Sequence, residues 1–328
     1  MHGKDCQSNL NEDLVSGNCM IFLFGAGPMA QSYAKVLESQ GLKYKVFCRS
    51  QDSADRFQSI TGKFARADSF EGFLGSARSS VSAIVAVSND QLAALAVRLL
   101  KAGVKRILLE KPGGISSAQV AAIVEEAKVN KAKVLIGFNR RFYSSTLMAK
   151  KIIEADGGVV SCAFDFTEWL NFMPDNYTPE VYRNWILSNP IHVLDHFIHL
   201  CGNPVESQSF RSGSLDWHPS GTVFTGAGVT DQKVLFSYHA DWTSAGRWNV
   251  EIYTANRKLI FSPMEKLSEV IKNTIIVKSV DICDQLDLEF KPGIYKQVEA
   301  FMRADDEMFC TIEQQLKNFA WYNDIAGY

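Results

Sequence analysis

The sequence predicts an α/β protein in which an N-terminal doubly wound parallel sheet precedes an α+β domain with an open, mostly antiparallel sheet. As far as about residue 140, short apolar runs alternate with helical segments, which is typical of parallel βαβ units. Beyond about residue 145, longer segments alternate apolar and polar residues, as strands with one buried face do. The predicted parts are a polar tail over 1–18, a first domain over 19–140 and a second domain over 141–328.

The first half begins with the apolar run MIFLF at 20–24, which is typical of a buried parallel strand. Further strands are predicted at 44–50, 81–88, 106–112 and 133–139. Helices are predicted at 30–41, 53–61, 69–76, 90–103 and 116–130. Gly41 and Gly103 stand where two of these helices should end, and Ser116 is a suitable cap for the last one.

The second half is predicted to contain strands at 159–169, 232–244, 247–261 and 273–282. In the segment 232–244, Val234, Phe236, Tyr238 and Trp242 share one face, and the opposite face is mixed. Helices at about 146–154, 190–201, 295–303 and 311–324 should cover the apolar face.

Composition and charge exclude several kinds of partner. The chain has 328 residues, 46% hydrophobic and 21% charged, as expected for a soluble globular protein of two domains. A net charge of −2 offers no broad basic field to a nucleic acid. No apolar stretch approaches the roughly 20 residues that span a bilayer, and the tail has no signal-peptide core. Seven scattered cysteines without a CxxC motif indicate buried free thiols and a cytoplasmic protein.

A dinucleotide-binding turn is predicted at GAGPMA, directly after the first strand. Gly25 permits the tight turn, Gly27 lets the backbone approach a pyrophosphate, and Ala30 is small enough for close helix–strand packing. The alternative is a glycine-rich turn without a ligand. The full set of candidate cofactor contacts is Gly25, Gly27, Pro28, Met29, Ala30, Arg49, Ser50, Ser88, Glu110 and Lys111.

The end of the second strand indicates which nicotinamide cofactor binds. NAD-binding folds usually carry a carboxylate there for the ribose 2′-hydroxyl, but this chain has Cys48, Arg49 and Ser50. A guanidinium and a hydroxyl suit a 2′-phosphate. We therefore expect NADP(H) to be preferred, with NAD(H) possible; the alternative is that Arg49 is only a solvated loop residue.

The motif Glu110-Lys111-Pro112 at a strand end, behind a Rossmann unit, resembles the glucose–fructose oxidoreductase / inositol dehydrogenase (Gfo/Idh/MocA) family. The segment IGFNRRF at 136–142 is similar to that family's sixth strand and its crossing into the second domain. The resemblance implies a Rossmann domain followed by an open-sheet α/β domain. It also implies hydride transfer between a sugar or cyclitol carbon and a nicotinamide, with Lys111 at the active site.

The resemblance extends to the segment SNPIHVLDHFIHL at 188–200, where His192, Asp195, His196 and His199 have the spacing of one helix face. Ile191 to Asp195 match the I-H-x-x-D part of the family's D-x-G-x-H-x-x-D signature, which implies that His192 is the acid/base histidine. Ser188 stands where the family usually has a catalytic aspartate. The alternatives are a satisfied helix histidine, an ion pair for Lys111, and a zinc site, which Val193 disfavours because zincins need Glu there. No metal is expected.

Substrate clues are few. The candidate contacts are Arg141, Tyr182, Arg183, Ser188 and Asp195. Arginines and aromatic rings suit a phosphorylated or nucleotide-linked sugar, but a free sugar, a cyclitol or another carbonyl compound stays open, and so do plain salt bridges. The leading hypothesis is a sugar oxidoreductase. The alternatives are a non-catalytic cofactor-binding regulator and a redox-neutral enzyme with a trapped cofactor. A homodimer or homotetramer associated through the second sheet is expected.

Overall fold

The computed structural model describes residues 20–67, 82–173 and 177–328. The predicted tail at 1–18 and the predicted helix at 69–76 lie outside this range. Two sheets organise the described chain, one of seven strands and one of eight. None of the helices in these three ranges is long and apolar enough to cross a membrane.

The first sheet is doubly wound and parallel, as predicted. Its parallel strands are β1 (Ile21–Phe24), β2 (Tyr44–Cys48), β3 (Ala65–Ala67), β4 (Ser82–Val85), β5 (Arg106–Glu110) and β6 (Lys133–Gly137). Their spatial order is β6-β5-β4-β1-β2-β3. The order reverses between β1 and its neighbours β2 and β4, which is the topological switch point where ligands bind in such sheets. The sequence analysis missed the short edge strand β3.

Four described helices accompany this sheet: α1 (Pro28–Ser39), α2 (Gln51–Thr61), α3 (Asn89–Lys101) and α4 (Ser117–Val129). They confirm the predicted helices within a few residues. The hydroxyls of Ser50 and Ser116 cap α2 and α4 by accepting backbone N–H groups. Helix α1 begins with Pro28 after Gly27 and has no acidic residue in its first turn, so its N-terminus keeps its partial positive charge.

The second sheet is mostly antiparallel, as predicted. Its strands are β7 (Ser161–Asp165), β8 (Pro204–Ser212), β9 (Val223–Thr230), β10 (Leu235–Asp241), β11 (Asn249–Tyr253), β12 (Arg257–Phe261), β13 (Ser268–Ile271) and β14 (Lys278–Ser279). The order is β14-β13-β12-β11-β7-β10-β9-β8, and only β7 and β10 run parallel.

Three strand predictions in this half need correction. The predicted strand 247–261 is the hairpin of β11 and β12, because a turn at 254–256 reverses the chain. The predicted strand 273–282 contains only the two residues of β14. Strands β8 and β9 were missed because their many polar and glycine residues conceal the alternation.

The described residues of the second half form seven α-helices: α5 (Ser144–Ala155), α6 (Pro179–Arg183), α7 (Trp185–Ser188), α8 (Ile191–Cys201), α9 (Gln285–Glu289), α10 (Ile294–Arg303) and α11 (Ile312–Ala326). Helix α8 packs on the apolar face of the second sheet, where Phe197 lies 5.0 Å from Phe164 and 4.7 Å from Phe236 between ring centroids. In β10, Phe236 and Tyr238 are buried, whereas Leu235 is 63% exposed. The predicted division of this strand into two faces is confirmed.

The C-terminal part of the chain returns to the first sheet. Strand β15 (Cys310–Thr311) pairs antiparallel with β6, α11 packs on α4, and α10 packs on α1. Gln297 of α10 places its amide oxygen 3.0 Å from the hydroxyl of Tyr33 in α1. These contacts fix the two sheets relative to each other, while the boundary at residue 140 stays a prediction.

The cysteines follow the expectation only in part. Cys162, Cys201 and Cys310 are buried free thiols, and Cys48 is a half-buried one. Cys283 is exposed and disulfide-bonded, which corrects the expectation of a buried free thiol at that position.

Candidate functional site

The turn after β1 has the geometry that a dinucleotide requires. Gly25 has φ +119°, and a Cβ there would lie 2.1 Å from the backbone oxygen of Ala86, so only glycine fits. Gly27 caps α1, and a Cβ there would meet no heavy atom within 4 Å. The chain around Gly27 is therefore free of protein packing on the side that a pyrophosphate approaches. Ala30 is fully buried, whereas Pro28 and Met29 are accessible. These residues fit a dinucleotide.

Arg49 and Ser50 lie at the end of β2, as predicted. Arg49 is exposed, and Ser50 is partly engaged as the cap of α2. The carboxylate of Asp90, at the start of α3, interacts electrostatically with Arg49. Burial opposes ionisation of Asp90, but hydrogen bonds from Gln91 and Ser88 together with Arg49 lower its pKa. The end of β2 thus presents an exposed guanidinium with the hydrogen-bonded carboxylate of Asp90 near it.

Glu110, the last residue of β5, has a buried side chain that does not project into solvent. Its Oε1 accepts a hydrogen bond of 2.7 Å from the hydroxyl of Tyr33 in α1. Burial raises the pKa of Glu110 despite Tyr33 and the neighbouring Lys111. Glu110 therefore connects β5 to α1.

Lys111 reaches across to the second half of the molecule. Its ammonium donates a hydrogen bond to the backbone oxygen of Ser188, at the end of α7. Burial lowers the pKa of Lys111 to about 8, and the charges of Arg140 and Lys291 act in the same direction. Lys111 therefore releases a proton far more readily than an ordinary lysine does.

His192 lies in the first turn of α8 and is only 7% exposed. Its ring contacts Phe138 and Trp248, each 6.2 Å away between ring centroids. Its Nδ1 has no hydrogen-bond partner in the described protein. Burial, with the positive charges of Arg140 and Lys111, holds the pKa of His192 well below its usual value. The imidazole is therefore neutral near pH 7 and has one nitrogen available.

The hydroxyl of Ser188 does not serve this histidine. It is directed at the backbone oxygens of Val181 and Asn184, at 3.3 and 3.2 Å. Its contribution to the site is its own carbonyl, which accepts from Lys111. The Ser188 hydroxyl is thus occupied by its own segment of the chain.

Asp195 and His196, which share the His192 face of α8, have separate structural partners. Asp195 is fully buried and accepts hydrogen bonds from Arg141 at 2.9 Å (Nε) and 2.7 Å (Nη2). His196 is buried with its Nε2 3.0 Å from the hydroxyl of Thr146. Arg141 and Asp195 thus satisfy each other, and the assignment of either to substrate binding gains no support. His196 is buried and His199 is half-buried, and among the described residues no cluster of His, Cys, Asp and Glu could hold a metal.

Tyr182 and Arg183 lie on the short helix α6. Tyr182 packs in an aromatic cluster with Trp185 and Trp217, at 6.2 and 5.9 Å between ring centroids. Arg183 is exposed on the outside of the same turn. The structure therefore gives Tyr182 a packing role and brings neither residue into contact with Lys111 or His192.

Sequence analysis missed the carboxylate of Glu168, which follows β7 and is buried. Both of its oxygens accept hydrogen bonds from the side chain of Asn189, and Oε1 accepts one of 2.9 Å from the indole of Trp248. Burial raises the pKa of Glu168, although these hydrogen bonds act to lower it. A cavity of about 600 Å³ opens beside it, lined by Glu168, Trp169, Leu170, Asn171, Trp242, Thr243 and Ser244. No motif marks Glu168, because its partners are distant in sequence.

Arg140 is the second residue whose role was missed. Its guanidinium lies 4.8 Å above the ring of Trp248 and 5.7 Å from that of Tyr143. Trp248 therefore contacts both Arg140 and His192. The sequence places Arg140 beside Arg141 without showing which of them faces the histidine.

The fold and the glycine turn define a class: the chain has the two-domain fold of NAD(P)-binding oxidoreductases. A provisionally named NADPH-dependent oxidoreductase from Desulfitobacterium hafniense shares 19% identity, covers 95% of each chain and superposes with a TM-score of 0.76. UDP-N-acetylglucosamine 3-dehydrogenase from Acidithiobacillus ferrooxidans shares 15% identity, with a TM-score of 0.73 over 94% of this chain and 96% of that one. Levoglucosan dehydrogenase in complex with NADH and L-sorbose shares 16%, with a TM-score of 0.74 over 94% and 96%.

No family model matches the sequence, and no curated protein matches it. The structural likeness confirms the fold that the resemblance implied.

Proposed function

We propose that the protein is an NAD(P)-dependent oxidoreductase that transfers a hydride between a nicotinamide and a carbon of a sugar, cyclitol or nucleotide sugar. One observation carries this proposal. Lys111, from a strand end of the dinucleotide-type sheet, bonds to the carbonyl of Ser188, four residues before His192. Two groups that can move a proton thus meet at the edge of the sheet where a nicotinamide would lie.

In the oxidation direction, the nicotinamide accepts the hydride from the CH–OH carbon. The protein has to accept the hydroxyl proton as the carbonyl forms. Neutral His192 and the amine form of Lys111 are both suited to this task, since each has a lowered pKa. In reduction the same two side chains return the proton to the carbonyl oxygen. The buried rings of Phe138 and Trp248 keep water away from the imidazole.

We also propose a preference for NADP(H). The exposed guanidinium of Arg49 and the hydroxyl of Ser50 support it, since they stand where NAD-binding folds carry a carboxylate. The Arg49→Ala variant is expected to weaken NADP more than NAD in a fluorescence titration of both reduced cofactors. Lys45, exposed on β2 and more distant from the strand end, supplies the matched control Lys45→Ala. Equal wild-type affinities for the two cofactors would contradict the preference.

Self-association through the outer face of the second sheet is part of the proposal. Leu235 and Phe210 are 63% and 62% exposed on this face, and they flank a surface that also contains Ala227 and Thr225. Such a patch on β8, β9 and β10 favours a partner sheet. Sedimentation velocity is expected to show a dimer or tetramer at micromolar concentration, and Leu235→Glu is expected to weaken it. A wild-type monomer would refute this part. A cytoplasmic location stays a prediction.

The catalytic proposal is tested by a turnover screen of sugars, cyclitols and nucleotide sugars with NAD(H) and NADP(H), followed at 340 nm. His192→Ala and Lys111→Ala should each lower kcat by roughly 10²–10⁴-fold, the range for a positioned acid or base. His192→Ala should leave cofactor affinity almost unchanged. Ser188→Ala serves as the control, because its hydroxyl bonds only to its own segment. Wild-type turnover by His192→Ala would overturn the assignment of this residue.

A further inference from the structure

The surroundings of His192 contain an excess of positive charge. Lys111, Arg140 and Lys291 all act on the imidazole. The two carboxylates nearest to Lys111 are already engaged, Glu110 with Tyr33 and Glu168 with Asn189 and Trp248. The negative charges of both carboxylates still act on Lys111, but among the described residues neither carboxylate forms an ion pair with Arg140 or Lys291.

The excess of positive charge is local, because Arg140 and its neighbour Arg141 differ in whether they have a counterion. Arg141 makes a two-pronged ion pair with Asp195. Arg140 forms no ion pair with any residue in the described ranges, and its Nε is buried without a hydrogen-bond partner there. Instead, its guanidinium lies on Trp248, which also contacts His192.

Lys291 approaches from the segment before α10. The side chain of Asn139 donates a hydrogen bond of 3.0 Å to the backbone oxygen of Pro292. This bond holds Lys291 next to the segment that carries Arg140. Carboxylates on that side are also occupied: Asp287 accepts the backbone N–H groups of Ser144 and Gly293, each at 2.7–2.8 Å.

Arg140 is half-buried, and a half-buried cation without a counterion is costly to fold, whereas Lys291 is exposed and accessible to a ligand. Binding a cationic oxidised nicotinamide beside Lys111 would add further positive charge. An anion bound between Arg140 and Lys291 would relieve both costs, and a guanidinium with unused donors is well suited to hold one.

We propose that the substrate carries a carboxylate or phosphate group, bound by Arg140 and Lys291 beside the carbon that reacts near His192. This inference rests on the proposed oxidoreductase function and narrows its substrate class to anionic sugars or polyols. Trp248, which is buried and contacts both Arg140 and His192, keeps the guanidinium close to the imidazole. A guanidinium and an ammonium bind carboxylate and phosphate groups by the same charge-assisted hydrogen bonds. The experiment therefore includes one ligand of each kind.

Isothermal titration of the full chain uses three matched ligands: glucose, glucuronate and glucose 6-phosphate, each with and without saturating NADP. At least one of the anions is expected to bind tenfold or more tightly than glucose, as charge-assisted hydrogen bonds would give. The anion that shows the preference identifies the group. Added salt should reduce the preference, since it screens the charges.

Arg140→Gln is expected to abolish the preference for the anion over glucose, and Lys291→Gln to reduce it. Arg303→Gln is the matched control, since Arg303 pairs with Glu299 on α10. Unfolding midpoints check that each variant folds, and Arg140→Lys keeps the charge if Arg140→Gln does not fold. Undetectable or equal binding of the anions and glucose overturns the inference, and so does a preference that survives in Arg140→Gln or, where that variant does not fold, a preference that Lys291→Gln leaves undiminished. Cofactor binding and turnover of neutral sugars are measured separately, so the proposed function can stand when this inference fails.

Discussion

The side-chain amide of Asn189 donates hydrogen bonds to both carboxylate oxygens of Glu168, at 3.0 and 2.9 Å. Asn189 directly follows Ser188, whose carbonyl accepts from Lys111. Glu168 also accepts the indole N–H of Trp248, and that ring contacts His192. The carboxylate of Glu168 thus binds both the residue that follows the acceptor of Lys111 and the indole that packs against His192. Position 188 itself carries no carboxylate.

The pH dependence of oxidation should report on Lys111. In the proposed mechanism its amine form can accept the hydroxyl proton, and burial lowers its pKa to about 8. Below that pH the ammonium form predominates, so kcat/KM for alcohol oxidation is expected to rise as pH increases through about 8. Lys111→Ala should remove this rise. A profile that is flat between pH 7 and 9 in the wild type would contradict a role for Lys111 as the base.

Replacing Glu168 by Gln should shift that profile. The negative charge of Glu168 raises the pKa of Lys111, so its removal is expected to move the rising limb to lower pH. Glutamine can still accept from Asn189 or Trp248, so the fold should survive. Glu251→Gln, on the second sheet and paired with Lys258, is the control and should leave the limb in place. A shift to higher pH would show that the charge of Glu168 does not act on Lys111.

The two glycines of the first turn should respond differently to alanine. Gly27→Ala places its Cβ in open space at an ordinary φ of −77°, so thermal stability should change little. If a pyrophosphate lies against Gly27, cofactor affinity should fall by tenfold or more. Gly25→Ala should lower the unfolding temperature, because its Cβ would clash with the Ala86 carbonyl. Calorimetry and cofactor titration check both variants; unchanged affinity in Gly27→Ala would place the pyrophosphate elsewhere.

The buried pair of Arg141 and Asp195 should contribute stability rather than chemistry. Asp195→Asn leaves the Arg141 guanidinium buried without its counterion, and about 3–5 kcal/mol of unfolding free energy should be lost. Glu38→Gln removes the exposed pair with Lys63 and should cost less than about 1 kcal/mol. Urea denaturation measures both. Similar small losses in the two variants would show that Arg141 finds another partner.

Much of the first half could be predicted because its signals are local. A strand, the turn with Gly25 and Gly27, and a helix follow one another within about 20 residues, and each element is readable from its own composition. Strands β8 and β9 could not be predicted, because polar and glycine residues such as Gly226 and Gly228 replace the alternation. They form strands because β9 pairs with the edge of β10, and β8 in turn pairs with β9.

The sequence by itself determined the parallel sheet, the dinucleotide turn, and the candidates Lys111 and His192, since each of these depends on neighbouring residues in the chain. Only the tertiary structure decided that Arg141 faces Asp195 while Arg140 faces Trp248 and the histidine. It also decided that Glu168 anchors Asn189. Adjacent residues in an irregular turn can point in opposite directions, and burial removes charges from solvent. Which charge finds a partner therefore depends on segments that lie far apart in the sequence.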